Sequence, residues 1–256
     1  MESGGKWIWS FPGGSRHDEV EMSFTNALGQ PIGFPLPKWT PPSVPPRSAM
    51  GGRYCRLEPI HERFVPELYA SASHDRDGHS WTYLPYGPFA SEEEFRTWLI
   101  RDCLGDDPLF FVIVESATGR AVGQASYLNI KPAQGSIEVG HLYFSPLMKR
   151  SRVATEAMYL MMRRAFELGY RRYEWKCDAL NAPSRAAAER FGFSYEGIFR
   201  QAIVVKGRNR DTAWYAAIDG EWPLLSAAFE AWLDPSNFDE AGQQKASLRE
   251  LRRGGP

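Results

Sequence analysis

Lys149, Arg150 and Arg152 crowd into residues 145–157, where an alternating apolar stretch gives way to helical periodicity. The first turn of a helix carries unpaired N–H groups and the positive end of the helix dipole, which together attract an anion. Three cations at such a mouth make a phosphate group a better match than a merely solvated basic face. The wider segment 145–176 holds eight Lys or Arg against three Asp or Glu. That excess is local, because 30 basic and 31 acidic residues leave the whole chain at −1. No nucleic-acid partner is expected from such a balance.

Cys55, Cys103 and Cys177 are odd in number, widely spaced and without a CxxC pair, so neither a disulfide framework nor a structural metal is expected. The five histidines form no HExxH, and no apolar run approaches the ~18 residues of a membrane span. The first residues lack the apolar stretch of a signal peptide. The expectation is a soluble, cytoplasmic protein with no metal and no membrane partner.

With 256 residues, 43% of them hydrophobic, the chain can bury one full core and leave an extension over. Residues 1–50 read as that extension. Seven prolines lie between Pro31 and Pro46, and proline removes donors and fixes φ. Trp7, Trp9, Phe11, Phe24, Phe34 and Trp39 nevertheless need shelter, either on the arm's own domain or across a partner in a homodimer. Residues 51–222 form the domain proper, and 223–256 a last helix followed by a tail that reads as polar and mobile beyond Asp234.

Within the domain, residues 53–58 alternate as a first strand, and 66–70 suggest a short helix. Ser91 with Glu94 is a capping box opening a second helix that runs to Gly105. Residues 109–114, 121–130 and 137–144 read as an antiparallel meander. Helix 153–168 follows, then strand 173–178, short helix 183–190, and a hairpin of strands 198–205 and 212–218 around residues 206–211. This order describes one α+β domain on a mixed, mostly antiparallel sheet flanked by helices.

The run Ile137-Glu138-Val139-Gly140, followed by residues 149–157, resembles the acetyl-coenzyme A motif of the GNAT superfamily, and more narrowly its RimJ/RimL-like branch, whose members acylate amino groups. Against the family pattern Q/R-x-x-G-x-G/A, Lys149 takes the first position, Arg152 replaces the first glycine and Ala154 fills the last. Residues 181–185 resemble its N-x-x-S element, and 189–197 its E-K-x-G-F-x-x-E-G stretch. The turn 207–211 with Trp214 and Tyr215 resembles the branch's closing hairpin, so the likeness covers residues 52–222.

The resemblance implies a GNAT-like single domain with strands splayed at an acetyl-CoA site. Leu142, Tyr143 and Phe144 on the splayed strand would hold the coenzyme and supply backbone donors to an oxyanion. Lys149, Arg150, Arg152, Val153, Ala154 and Thr155 would receive the pyrophosphate, with Asn181 and Arg185 beyond. Ser184 falls where the family places a hydroxyl near the coenzyme sulfur, although a serine there also suits helix capping. Where some relatives carry a basic glutamate this chain has Ile203, which leaves Glu138 and Asp211 as carboxylates for the cleft. His141 could be a base by type or a packed strand histidine. Trp81, Tyr83, Tyr86 and Phe89 lie in the segment the branch uses to cover its acceptor, and an aromatic satellite core would read the same way.

Acetyl-CoA is thus the expected co-substrate, and a primary amine, on a small molecule or a protein N-terminus, the expected acceptor. Cys177 alternates to the apolar side of its strand, and Cys55 and Cys103 fall away from the coenzyme loop. With no thiol poised to attack, the amine would take the acetyl group directly in a ternary complex. Because Arg152 and Ile203 depart from the family pattern, the other reading is a catalytically silent acyl-CoA-binding or scaffold domain. A basic patch on RNA is a third.

Overall fold

Proline and glycine density interrupts the chain near its start, and the computed structural model, which describes residues 24–254, divides there into units of residues 1–40 and 41–256. In the first unit, β1 (Phe24–Thr25) and β2 (Pro31–Ile32) pair as a small antiparallel hairpin. The Asn26 carboxamide oxygen accepts the N–H groups of Leu28 and Gln30 at 2.9 and 3.0 Å, a side chain standing in for backbone in the turn. Phe24 and Phe34 are exposed here, while Trp7, Trp9 and Phe11 lie outside the described residues.

The second unit carries one eight-stranded sheet and its helices. In chain order these are β3 (Met50–Gly51), β4 (Cys55–Pro59), α1 (Val65–Ala72), α2 (Glu92–Asp102), β5 (Leu109–Glu115), β6 (Ala121–Lys131), β7 (Ser136–Phe144), α3 (Arg152–Glu167), β8 (Arg172–Asp178), α4 (Ala182–Phe191), β9 (Ser194–Val205), β10 (Arg208–Ile218), α5 (Trp222–Leu233) and α6 (Leu248–Arg253). Spatially the sheet runs β3-β4-β5-β6-β7-β8-β10-β9, and only the β7–β8 pair is parallel. The expected α+β domain on a mixed, mostly antiparallel sheet is what forms.

The apolar run in β5 has a direct reading. Leu109, Phe111 and Ile113 join the core under α3, whereas Phe110, Val112 and Val114 join a second core under α1 and α2. A strand covered on both faces cannot alternate with polar residues. Helix α3 is likewise buried around most of its girth, from Val153 to Met162, because α5 covers its outer side through Tyr159–Phe229 and Phe166–Trp222 ring contacts.

Three features differ from the sequence reading. The hairpin 198–205/212–218 is longer and its turn tighter: Lys206 and Gly207, at φ 49° and 72°, join β9 to β10 as a two-residue turn that needs positive φ at both positions. The tail beyond Asp234 is ordered around buried Leu248, and Asn237 donates to the Trp232 and Ala246 carbonyls. Residues 41–50, read as arm, lie in the second unit; Arg164 donates to the carbonyls of Ser48 and Ala49 at 2.6 and 2.8 Å, and Met50 is buried. Among the described residues no helix is long and apolar enough to cross a membrane.

Candidate active site

Strands β7 and β8 stay in register only from Ser136/Arg172 to Val139/Trp175, and past that point they part. The rest of β7 pairs with β6 alone, and Lys176–Asp178 of β8 pair with β10 alone. The β6–β7 register also slips between Gln124 and Ser126, and His141 takes up the slip at φ 50°. A bulge of this kind bends a strand and sharpens its twist. Into the resulting gap opens a cavity of about 500 Å³, walled by β6, β7, β8, β9, β10, the start of α4 and the segment 80–85.

At the end expected to receive the coenzyme, α3 begins at Ser151, whose hydroxyl accepts the Ala154 N–H at 3.4 Å. Arg150, at φ 58°, turns the chain into the helix, and both Lys149 and Arg150 are exposed. Lys149 Nζ donates to Ser80 Oγ at 2.7 Å, tying the helix mouth to the cover segment. Glu156, one turn in, holds this end fast: its carboxylate accepts the N–H groups of Arg53, Tyr54 and Cys55 at 2.8, 2.6 and 2.7 Å. A Cβ on Gly52 would fall onto that carboxylate, so the tight approach requires glycine. The residues fit a pyrophosphate: a capped 16-residue helix offers its first N–H groups beside two exposed cations.

Arg152 and Thr155 depart from the expected pattern. The Arg152 guanidinium lies over the rings of Phe238 and Tyr54, at 4.3 and 5.1 Å, so only its backbone faces the mouth. Thr155 is buried and its hydroxyl accepts from Arg190 at 3.1 Å. Val153 and Ala154 are buried under the core, while Leu142 and Phe144 pack against it from the splayed strand. Tyr143 stacks on Trp81 at 4.1 Å on the opposite face. Arg185 braces α4, donating to the Tyr215 hydroxyl and the Ala179 carbonyl.

Three candidate groups meet at the cavity. Asn181 caps α4 by accepting the Ser184 N–H at 3.1 Å, so capping is its task and not that of the Ser184 hydroxyl. Ser184 Oγ instead accepts the Trp175 indole N–H at 3.0 Å, which leaves its own proton to donate. Glu138 is buried, and its Oε2 accepts from Lys176 and Asn129, each at 2.7 Å. Burial raises its pKa above the ordinary carboxylate value, against the pull of Lys176. Lys176 also meets Glu174 at 2.8 Å and sits over the Trp214 ring.

Asp211 does not join them. Arg210, Thr212 and Trp214 take the cavity side of β10, and alternation sends Asp211 the other way. There it accepts from the Gln201 N–H and the Asn209 side chain, which hold its pKa below the usual value. Of the cover aromatics, Tyr83 lines the cavity, its hydroxyl donating to the Leu180 carbonyl at 3.2 Å. Trp81, Tyr86 and Phe89 belong to the second core. His141 also lines the cavity; its Nδ1 lies 3.2 Å from the Tyr86 hydroxyl, and burial pushes its pKa down to about 4, so it is neutral at pH 7. Cys177 is buried as expected, its pKa raised by burial, but it too lines the cavity. Cys55 is nearer the coenzyme end than its spacing suggested, with Sγ 3.7 Å from the Val153 carbonyl, and burial raises its pKa far above the usual value. Arg210, Lys176 and Trp214 are cavity residues that sequence reasoning left out; strict alternation on β8 was the signal that could have found Lys176.

Residues 55–194 match the acetyltransferase (GNAT) domain. A GCN5-related N-acetyltransferase from Brucella melitensis is 50% identical over 85% of this chain and all of its own, with a TM-score of 0.83. A probable GNAT acetyltransferase from Chromobacterium violaceum is 42% identical over 76% of this chain and 98% of its own, at 0.71. Mycobacterium smegmatis RimJ, solved with CoA-disulfide, shares the fold at 22% identity over 69% of this chain and 90% of its own, at 0.59. Among curated proteins none matches. The chain belongs to the GNAT family of acetyltransferases. It is accordingly an acyltransferase, and acetyl-CoA is the donor this family uses.

Proposed function

We propose that the enzyme moves an acetyl group from acetyl-CoA directly to a primary amine, on a small molecule or a protein N-terminus, in a ternary complex. The observation that carries this reading is the company kept in the gap between β7 and β8. One wall has a hydroxyl with its proton to give, the facing wall a carboxylate whose pKa is raised, and no poised thiolate lies between. The coenzyme supplies the thioester. Lys149, Arg150 and the first N–H groups of α3 hold its phosphates, and the backbone of residues 142–144, unpaired on the β8 side, is open to the rest of it. Ser184, fixed by the Trp175 indole, gives its proton to the departing sulfur and regains one from the nitrogen of the tetrahedral species as the amide forms. Glu138 Oε1, which has no hydrogen-bond partner among the described residues, takes the ammonium proton directly or through water. Its raised pKa suits that task better than an exposed carboxylate would.

Free thiol release from acetyl-CoA, followed against a panel of amines, tests the reading. General acid assistance is worth roughly 10²–10⁴-fold, so Ser184→Ala lowers kcat at least about tenfold while coenzyme affinity changes little. Cys177→Ala leaves turnover nearly intact. Trapping an acetylated enzyme by mass spectrometry, with activity lost in Cys177→Ala, overturns direct transfer.

A further inference from the structure

The cavity presents one cation with a buried, unpartnered donor. Arg210 faces it from β10 opposite Ile203, and its Nε is buried with no hydrogen-bond partner. The guanidinium makes no ion pair or hydrogen bond among the described residues. None of its charged neighbours bonds to it: Lys176 and Glu138 pair with each other at 2.7 Å, and Asp178 accepts the Leu180 N–H at 2.8 Å. His141 is neutral, and the Arg210 charge helps keep it so. The phosphate end does not explain Arg210 either, since none of Lys149, Arg150 and Arg152 lines this cavity. A buried, unpartnered donor costs free energy that a native protein ordinarily recovers through a partner. A guanidinium recovers it best from a carboxylate, which it can meet with two parallel hydrogen bonds.

The same cavity holds the open oxygen of Glu138, which suits an ammonium group. An open anion and an open cation in about 500 Å³ describe a ligand with both charges. We propose that the acceptor is an amine that itself bears a carboxylate, and that Arg210 binds this carboxylate and so selects the substrate. The inference rests on the acyl-transfer reading above. Such a carboxylate has two sources: the α-carboxylate of a free amino acid, or an acidic side chain at the start of a peptide.

Two arms separate them. In one, L-methionine, L-phenylalanine and L-glutamine are each compared with their amides. In the other, Asp-Ala-Ala-amide is compared with Asn-Ala-Ala-amide. The readout is the ratio of kcat/KM, carboxylate over amide, in the wild type and in Arg210→Gln and Arg210→Lys. Because each ratio is taken on one preparation, any unfolded fraction cancels. Comparing ratios between variants also cancels the difference in amine pKa. In at least one arm the ratio falls about tenfold or more in Arg210→Gln, the scale of a charged hydrogen bond, and Arg210→Lys recovers part of it. A ratio unchanged by Arg210→Gln in both arms overturns the proposal and leaves acyl transfer standing. If no amine releases thiol, binding of the same pairs to the CoA complex is measured by calorimetry. Carboxylate binding that is lost in Arg210→Gln then upholds the site while removing the acyl-transfer reading, and no carboxylate-dependent binding removes the site.

Discussion

The proposed coenzyme end and the proposed acceptor end of the gap between β7 and β8 are built in different ways. The coenzyme end is made from one stretch, residues 145–157, whose helix N-terminus, cap and exposed cations are sequence neighbours. Its rigidity comes from Glu156, which gathers three backbone N–H groups of the turn before β4. The acceptor end is assembled from side chains of seven separate segments, the cover 80–85, β6, β7, β8, the start of α4, β9 and β10. A site made of local backbone can recur as a motif, whereas one made of distant side chains is free to vary with the substrate.

The largest effect expected is at the clamp. Glu156→Ala leaves three backbone N–H groups without an acceptor beside a buried helix face, at about 1–3 kcal/mol each. A loss of about 3–9 kcal/mol in urea denaturation follows, and Gly52→Ala, which drives a methyl onto the same carboxylate, moves the same way. A Glu156→Ala midpoint close to the wild type would show that the coenzyme end is not held as described.

The acceptor end has its own mark, in pH. His141 titrates near 4 when folded, against an ordinary value of 6.5, because burial disfavours its charged form and Arg210 adds to that. Below pH 6.5 the unfolded chain binds a proton that the native state refuses. Stability from this group is therefore complete above 6.5 and is lost as pH falls toward 4, with a full swing on the order of 3 kcal/mol. His141→Asn tolerates the positive φ and removes the titration. Denaturation midpoints at pH 4.5 and 7 should then differ less in the variant than in the wild type; an equal difference in both would assign the pH dependence elsewhere.

A third test separates the cations at the helix mouth. Lys149→Ala with Arg150→Ala removes two exposed charges and should weaken coenzyme binding about tenfold or more. Arg152→Gln should weaken it less than about threefold and instead lower stability by about 0.5–1 kcal/mol, since its guanidinium rests on Tyr54 and Phe238. Calorimetric titration with CoA distinguishes them, and the reverse order would return Arg152 to the phosphates.

What was legible in the sequence follows the same division. Periodicity located the elements from β4 to α5 but not the short β1, β2, β3 and α6, and the 145–157 junction showed a capped helix start with cations beside it, because helix starts and caps are local features. The direction of an individual side chain was not legible where a distant residue decides it. Arg152 turns to Phe238, 86 positions away in the chain, in a segment whose polar composition hid the buried Leu248. Asp211 was misplaced because one residue of register reverses a strand's faces. The pairing of Glu138 was not legible because its partners Asn129 and Lys176 come from the two flanking strands.

The smallest effect concerns residues 41–48. A chain starting at residue 41 keeps the Ser48 carbonyl that receives Arg164 at 2.6 Å, and keeps buried Pro42 and Pro45; a chain starting at residue 49 loses all three. Arg164 would still donate to Ala49 at 2.8 Å, so its half-buried charge is not stranded. One lost charged hydrogen bond, partly replaced by water, together with modest apolar burial amounts to about 1–2 kcal/mol. The two chains should melt a few degrees apart, with the shorter one lower. Indistinguishable melting curves would mean that the segment only lies along the domain, and the folded part would then begin at Ala49 or later.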